Sequence, residues 1–437
     1  MLPEVRVSPP GPRSRALMQR LEARECPAFS ARRAKREASD GAASIVIERG
    51  AGANVWDADG NRYVDLAAGF GSILCGHGDA SITRAALGAA DELLQGLGDL
   101  YSTPSKVELV ERLAALVDRG AKPGSRVLLC QSGADAITGA LKTAALATGN
   151  VSVVAFEGAY HGLGYAPLAA IGFKPSYREP FAGALNPDVR FLPYPDTSEA
   201  AARALEALRA ELRTRPTGAV LIEPVLGRGG VVLPPPGFLR DVVSIAREAG
   251  AISIADEIWT GLGRSGSVVR SLDDGATFDV VCFGKGLGGG LSISAVVARD
   301  EVMQAWAREG EVVHTSTHAG APMACRAALA VLDRLETDRL DLRAREEGSR
   351  FLERLRARAE RHPLVLGVRG AGLMVGALHH GSGDGLRVMR GLLERGFLAT
   401  TGGAAGEVTV FTPPLTIERA QLDACVDAID EVWSALS

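Results

Sequence analysis

From about residue 105 to about residue 300 the chain repeats one pattern: a short apolar run, a few small or ionisable residues, then a longer stretch with apolar positions at helical spacing. The runs are Val127–Cys130, Val151–Phe156, Ala219–Ile222, Ile252–Ala255 and Val280–Phe283, and the helical patterns between them include Ala136–Ala147, Ser198–Arg213 and Leu239–Ala249. Largely apolar runs suit strands buried on both faces, and helix-length connections are what parallel neighbours need. The pattern predicts an α/β fold, with a large domain built on a mainly parallel central sheet covered by helices.

The flanks read differently. Ile45–Gly50 and Asn54–Asp65 look like short strands joined by an Asp59-Gly60-Asn61 turn. After about residue 322 come helical patterns at Met323–Leu335 and Leu342–Arg361, a hairpin at Val365–Leu378, a helix at Leu386–Gly396, a strand at Val408–Phe411 and a closing helix from Ile417. Each flank is small, so the two are expected to combine into one smaller α+β domain. The expected division is an N-terminal arm and surface helix over 1–40, the first part of the small domain over 41–75, the large domain over 76–325 and the rest of the small domain over 326–437.

Composition excludes several classes. With 48 Lys+Arg against 52 Asp+Glu the net charge is −4, which argues against nucleic-acid binding. Met1–Pro12 lacks the apolar core of a secretory signal, and nowhere do about 18 apolar residues run together to span a membrane. Six scattered cysteines, with no CxxC pair and no Cys/His cluster at metal-ligand spacing, suggest reduced thiols in a cytoplasmic protein and no metal. Glycine supplies 52 of 437 residues, about 12% against a usual 7%, which suits tight turns and close backbone approach to a ligand.

In open α/β sheets ligands gather beyond the carboxyl ends of the strands, so the residues ending each run carry the information. They are Gln131-Ser132-Gly133-Ala134-Asp135, Glu157 through Gly162 with Tyr160 and His161, Glu223-Pro224, Asp256-Glu257 and Gly284-Lys285-Gly286. Ser132-Gly133-Ala134 opens a helix, where free N–H groups suit a phosphate, although an ordinary turn with a serine N-cap has the same spelling. Lys285 sits among glycines after an apolar strand, a setting that lowers a lysine pKa and makes a Schiff-base nucleophile; a solvated or phosphate-contacting lysine is the plainer alternative. Asp256 at a strand end needs a cationic or hydrogen-bonding partner, whether a protonated pyridine nitrogen, a metal or Arg264.

Taken in order, these stretches resemble the class III (ω-) aminotransferases, pyridoxal 5′-phosphate (PLP) enzymes of the aspartate-aminotransferase fold. The resemblance runs from about Asn54 to Ile417 and is carried by Ser132–Ala136, Ala159–Gly162, Glu223–Val225 with Gly229-Gly230, Ala255–Gly266, Phe283–Gly290 and Thr315–Gly320. It implies that Lys285 forms the Schiff base and shuttles the substrate proton, and that Asp256 keeps the pyridine nitrogen protonated. It also implies that Tyr160 and Ile258 pack on the two ring faces and that Ser132, Gly133 and Ala134 cradle the phosphate. Glu223 corresponds to a carboxylate above the cofactor, and Thr317 to a phosphate ligand donated by the other subunit of a homodimer. His161 and Glu257 are read as structural, and Arg264 as structural and paired with a carboxylate.

Three departures bear on the substrate. Relatives acting on ω-amino acids often carry Arg where this chain has Leu163, and another Arg three residues before the Pro-Pro pair, which is Val410 here. A common Gln that contacts the cofactor hydroxyl is Trp259. Neither Leu163 nor Val410 can form an arginine fork, which tilts the expected substrate toward an amine without a conventionally bound carboxylate, unless Arg178, Arg228 or Arg369 substitutes. The reading is a PLP-dependent aminotransferase moving an amino group from an amine, ω-amino acid or aminosugar donor to a carbonyl acceptor; a PLP-dependent epimerase, racemase or aminomutase on the same scaffold is the alternative. An inactive PLP-binding protein is disfavoured, because Lys285 and Asp256 are both present.

Overall fold

The computed structural model describes residues 1–40, 44–98, 100–118, 124–307 and 310–437; the expected boundary at 40/41 adjoins residues 41–43, outside the described ones. Three short strands come first, β1 (Ile47–Ala51), β2 (Asn54–Asp57) and β3 (Arg62–Asp65), paired as an antiparallel meander. Its turn is fixed by Asp57, whose carboxylate accepts the Asn61 N–H at 2.8 Å and the Tyr63 hydroxyl at 2.8 Å, while Gly60 takes a φ of 88° that other residues resist.

The central sheet has seven strands: β4 (Ser125–Cys130), β5 (Val153–Phe156), β6 (Val189–Leu192), β7 (Ala219–Ile222), β8 (Ile252–Asp256), β9 (Val280–Phe283) and β10 (Ser294–Arg299). Their spatial order is β4-β10-β9-β8-β7-β5-β6. Pairs β5–β6, β5–β7, β7–β8 and β8–β9 are parallel, and β10 runs antiparallel to both β9 and β4. The apolar runs are explained by burial on both faces. Val154, Phe156, Val220, Ile222, Val281 and Phe283 pack into one hydrophobic cluster, and their neighbours Val153, Ala155, Leu221, Val280 and Cys282 into another.

Two strands of this sheet escape the sequence pattern. β6 is a half-buried edge strand with an arginine in it, and β10 opens with Ser294-Ala295, weak strand formers, and carries only the Val296-Val297 pair before Ala298, so its pairing on both sides holds it in place. The N-terminal segment also forms two helices, Pro12–Glu22 and Pro27–Asp40, where one is expected, because Pro27 starts a second.

The C-terminal segment adds β11 (Val365–Ala371), β12 (Met374–His379), β13 (Phe397–Leu398), β14 (Thr400–Gly402) and β15 (Val408–Phe411). β11, β12, β15 and β14 form one antiparallel sheet, while β13 leaves it to pair in parallel with β3, joining the two ends of the chain. The closing helix Arg419–Leu436 buries Trp433, whose Nε1 donates to His379 Nε2 at 3.2 Å. No described helix is long and apolar enough to cross a membrane.

The helix Leu340–Ala359 crosses the β11–β12 turn at Gly348, where an added methyl would fall on the Gly372 carbonyl. Gly348→Ala is therefore expected to lower stability by about 1–3 kcal/mol through overpacking against backbone. Gly183→Ala, at an open position, should change it by less than about 0.5 kcal/mol. Thermal unfolding of both variants checks this, and indistinguishable midpoints would show that the contact relaxes freely.

Candidate active site

β5, β7, β8 and β9 are parallel, and β4 shares their direction because both it and β9 oppose β10. Their carboxyl ends consequently share one edge of the sheet, and the loops leaving them meet there. Gly133, Ala134, Tyr160, Glu223, Asp256, Ile258 and Lys285 all line a single cavity at this edge, together with Arg228 and Trp259.

Lys285 leaves β9 with a φ of 39°, in the left-handed region that costs a side-chain-bearing residue about 1–3 kcal/mol. Its flanking glycines are closely packed, since a Cβ on Gly284 would lie 3.2 Å from Ile258 and one on Gly286 would lie 3.2 Å from Leu74, so either side chain would have to shift. Nζ stands 3.7 Å from the centre of the Trp259 ring. Burial pushes the Lys285 ammonium down to about 7, with Glu223 and Asp256 opposing that shift.

Asp256 ends β8 and is 4% exposed. Its Oδ2 lies 2.7 Å from His161 Nδ1, and its Oδ1 accepts the Ile258 N–H at 3.1 Å. His161 thus acts as the hydrogen-bonding partner that a carboxylate at this depth needs, in keeping with its structural reading. Its Nε2 is buried and has no partner among the described residues.

Arg264 forms no direct ion pair with a carboxylate among the described residues, although the Asp65 charge acts on it and opposes the effect of burial. Its Nη1 donates to the carbonyls of Leu373, at 2.9 Å, and Pro413, and burial lowers its pKa to about 9. Glu257 accepts the Thr260 hydroxyl at 2.6 Å and the Ser271 N–H at 2.7 Å, a purely internal brace whose pKa burial raises to about 7.

Glu223 is likewise held by backbone. Oε1 accepts the Tyr160 N–H at 2.8 Å and Oε2 the Gly227 N–H at 3.0 Å, and burial raises its pKa to about 7. The carboxylate therefore pins the turn after β5 to the turn after β7. Tyr160 also packs edge-on against Phe173 and Tyr177, with ring centroids 6.5 and 6.3 Å away.

The helix Gly133–Thr148 starts at this cavity, and the N–H groups of Gly133 and Ala134, in its first turn, have no carbonyl within the helix to bond. Ser132 is its N-cap: Oγ accepts the Asp135 N–H at 3.2 Å, so its side chain serves the helix and Ser132 does not line the cavity. A Cβ on Gly133 would lie 3.0 Å from the Ile258 side chain, so glycine here keeps Ile258 from having to shift. The donor set matches PLP group by group: free N–H groups for its phosphate, a buried carboxylate for its ring nitrogen and an amine of lowered pKa for its carbonyl.

Thr317 stands apart. It lies in an exposed loop outside the cavity, and its carbonyl accepts the Gln95 side-chain amide. Leu163 is 52% exposed and Val410 is buried in β15, so neither offers the cavity a polar group. Sequence spacing also missed a grouping outside the cavity, in which ligand atoms of Cys130, Asp135 and His314 lie within 4.8 Å of one another; Cys130 and His314 are 184 residues apart in the chain.

A family model described as aminotransferase class-III matches residues 36–433. Acetylornithine aminotransferase of Methanothermobacter thermautotrophicus is 37% identical over 392 residues, covering 90% of this chain and 94% of that protein. Among solved structures, a PLP-bound amine transaminase from an uncultivated Pseudomonas species superposes with a TM-score of 0.84 at 28% identity, covering 90% of this chain and 95% of that one. An (S)-enantioselective omega-transaminase from Thermomicrobium roseum gives 0.83 at 30% identity, with coverage of 90% and 93%.

Since a depressed lysine pKa leaves the neutral amine dominant above it, competitive acylation of cofactor-free protein should label Lys285 with a midpoint near pH 7, well below that of surface lysines. A midpoint in the ordinary lysine range would show that the cavity does not depress the amine.

Proposed function

The chain belongs to the class III aminotransferases and is a PLP-dependent transaminase, and on that premise we propose that Lys285, Asp256, Tyr160, Ile258, Glu223, Gly133 and Ala134 carry the amino transfer. The observation that supports this assignment best is the convergence of the Lys285 amine, the Asp256 carboxylate and the first turn of the Gly133–Thr148 helix on one cavity. Bound PLP supplies an electrophilic carbonyl and an electron-withdrawing ring. The chain supplies the rest. Lys285 Nζ, a neutral amine above its lowered pKa, would hold the cofactor through that carbonyl and would take and return the substrate proton. Asp256, fixed by His161 and the Ile258 N–H, holds a proton on the ring nitrogen. The Gly133 and Ala134 N–H groups bind the phosphate, helped by the helix dipole, with Ser132 setting the turn. Tyr160 and Ile258 would pack against the ring, and Glu223 holds Tyr160 in place through its backbone.

We further read the protein as a cytoplasmic homodimer in which Thr317 of one subunit binds the phosphate of the other. Support comes from the exposed apolar side chains of Leu93, Leu94, Leu97, Tyr101, Val312 and Val313, which flank Gln95 and Thr317 in the sequence, the two residues that meet in the Gln95–Thr317 contact. Six unpaired thiols suit a reducing compartment. On this reading residues 76–325 form the large cofactor-binding domain, and residues 41–75 with 326–437 the smaller one. The donor is a primary amine, ω-amino acid or aminosugar, in keeping with relatives named for acetylornithine and for amines.

Mixing the PLP form with a panel of such amines, without acceptor, should convert the cofactor stoichiometrically to pyridoxamine phosphate, read by absorbance. Solvent deuterium entering the amine without that conversion would overturn transamination in favour of an epimerase or mutase. Lys285→Ala should abolish any borohydride-reducible link to the cofactor, and Thr317→Ala should weaken cofactor affinity by about 10-fold, the value of one hydrogen bond to a charged group. Unchanged affinity would remove Thr317 from the site.

A further inference from the structure

Arg228 stands on the turn that follows β7, one residue beyond the N–H with which Gly227 holds Glu223. The turn is tightly fixed. A Cβ on Gly227 would fall on the Trp259 ring, the Gly230 N–H donates to the Gly227 carbonyl at 3.1 Å, and the Gly403 N–H donates to the Arg228 carbonyl at 2.9 Å. From this support the guanidinium reaches the wall of the cavity that contains Lys285. It rests against aromatic faces, 5.5 Å from the centre of Tyr160 and 5.3 Å from that of Phe173.

What it lacks is an anion. No carboxylate among the described residues forms an ion pair with Arg228, and its buried Nε has no hydrogen-bond partner among them. The acids nearest the cavity are committed elsewhere, since both oxygens of Glu223 accept backbone N–H groups and Asp256 is taken by His161 and Ile258. A half-buried cation without a counter-charge is costly, and an incoming anion relieves that cost. The other arginines that sequence reasoning offered are placed differently: Arg178 lies over Phe191 and Arg369 donates to the Gly230 carbonyl, and neither lines the cavity.

We propose that Arg228 binds the carboxylate of the substrate, so that this enzyme handles amines and carbonyl compounds bearing an anionic group although Leu163 and Val410 cannot hold one. The inference rests on the transaminase reading above and reverses the tilt toward carboxylate-free amines that those two positions suggest. A planar guanidinium held against aromatic rings presents its free N–H edge in a fixed plane, the geometry that a carboxylate matches with two parallel bonds. Arg228 is thus a specificity-determining residue acting on the end of the substrate remote from the transferred nitrogen.

The test compares ω-amino acids with their amides, which differ in charge and little in shape: β-alanine with β-alaninamide and 4-aminobutyrate with 4-aminobutanamide. In the wild-type PLP form, kcat/KM for the half-reaction should favour the carboxylate by about 10- to 100-fold for the better-fitting pair. Arg228→Gln should bring that ratio close to one, and Arg228→Lys should keep an intermediate ratio because the charge remains while the fork is lost. Calorimetric titration with pentanoate and pentanamide, neither of which can transaminate, should show the same preference in wild type and its loss in Arg228→Gln. A wild-type ratio near one in both pairs, or a ratio that survives Arg228→Gln in protein retaining its cofactor absorbance, would overturn the proposal. Failure of every amine to convert the cofactor would instead strike the transaminase reading, and the pentanoate titration would still decide whether Arg228 binds carboxylates.

Discussion

Burying charge is expensive, and the cleft is organised by the way its acids meet that expense. Asp256, Glu223 and Glu257 all sit at or just after strand ends, out of reach of water, and each is held by at least one backbone N–H. Each such bond stabilises a carboxylate and also fixes the loop that donates it. Glu223 shows this most clearly, because its two oxygens tie the Tyr160 turn to the Gly227 turn. The loops that build the cavity are therefore positioned by buried acids, two of which, Glu223 and Asp256, also line it.

The same economy explains why the glycines crowd here. Gly133 and Gly284 both pack tightly against the Ile258 side chain, and Gly162 lies so close to Ala134 that a side chain there would force it to move. Backbone can then approach a ligand closely, which is how N–H groups rather than long flexible side chains come to bind a phosphate. Lys285 is the exception, a full-length side chain forced into left-handed backbone, and the glycines around it make room for that strained segment.

Much of this was legible in the sequence because the two-sided burial of β7 and β9 leaves an unbroken apolar run, ended by the functional residue itself. Those two strands have the bounds that the pattern predicts. β10 was not legible, since Ser294 and Ala295 say little about conformation and the strand is imposed by β4 and β9 on either side. In the site, Lys285, Asp256 and the Gly133-Ala134 turn stood out by chemistry and position. Pairings over long separations did not: nothing in the spacing tells that Arg264 spends itself on the carbonyls of Leu373 and Pro413, or that the wall beside Tyr160 is Arg228. Ser132 was legible in two senses, and its hydroxyl proves to serve the helix.

The parallel pairing of β3 with β13 sets an order on how the chain can be assembled. Phe397 pairs with Val64, a separation of 397 − 64 = 333 residues, whereas most pairings of the central sheet close over far shorter spans. On a ribosome, β4 through β10 are all available before β13 has been made, so the central sheet can form while the N-terminal meander still lacks its fourth strand. Until residue 397 emerges, β3 is bridged on that side only at Arg62, by the Glu4 backbone, and the rest of the edge is unpaired, the kind of surface that recruits other chains. The Glu4–Arg62 bridge, closed between two segments that are both made early, then covers part of that edge while the chain still lacks β13.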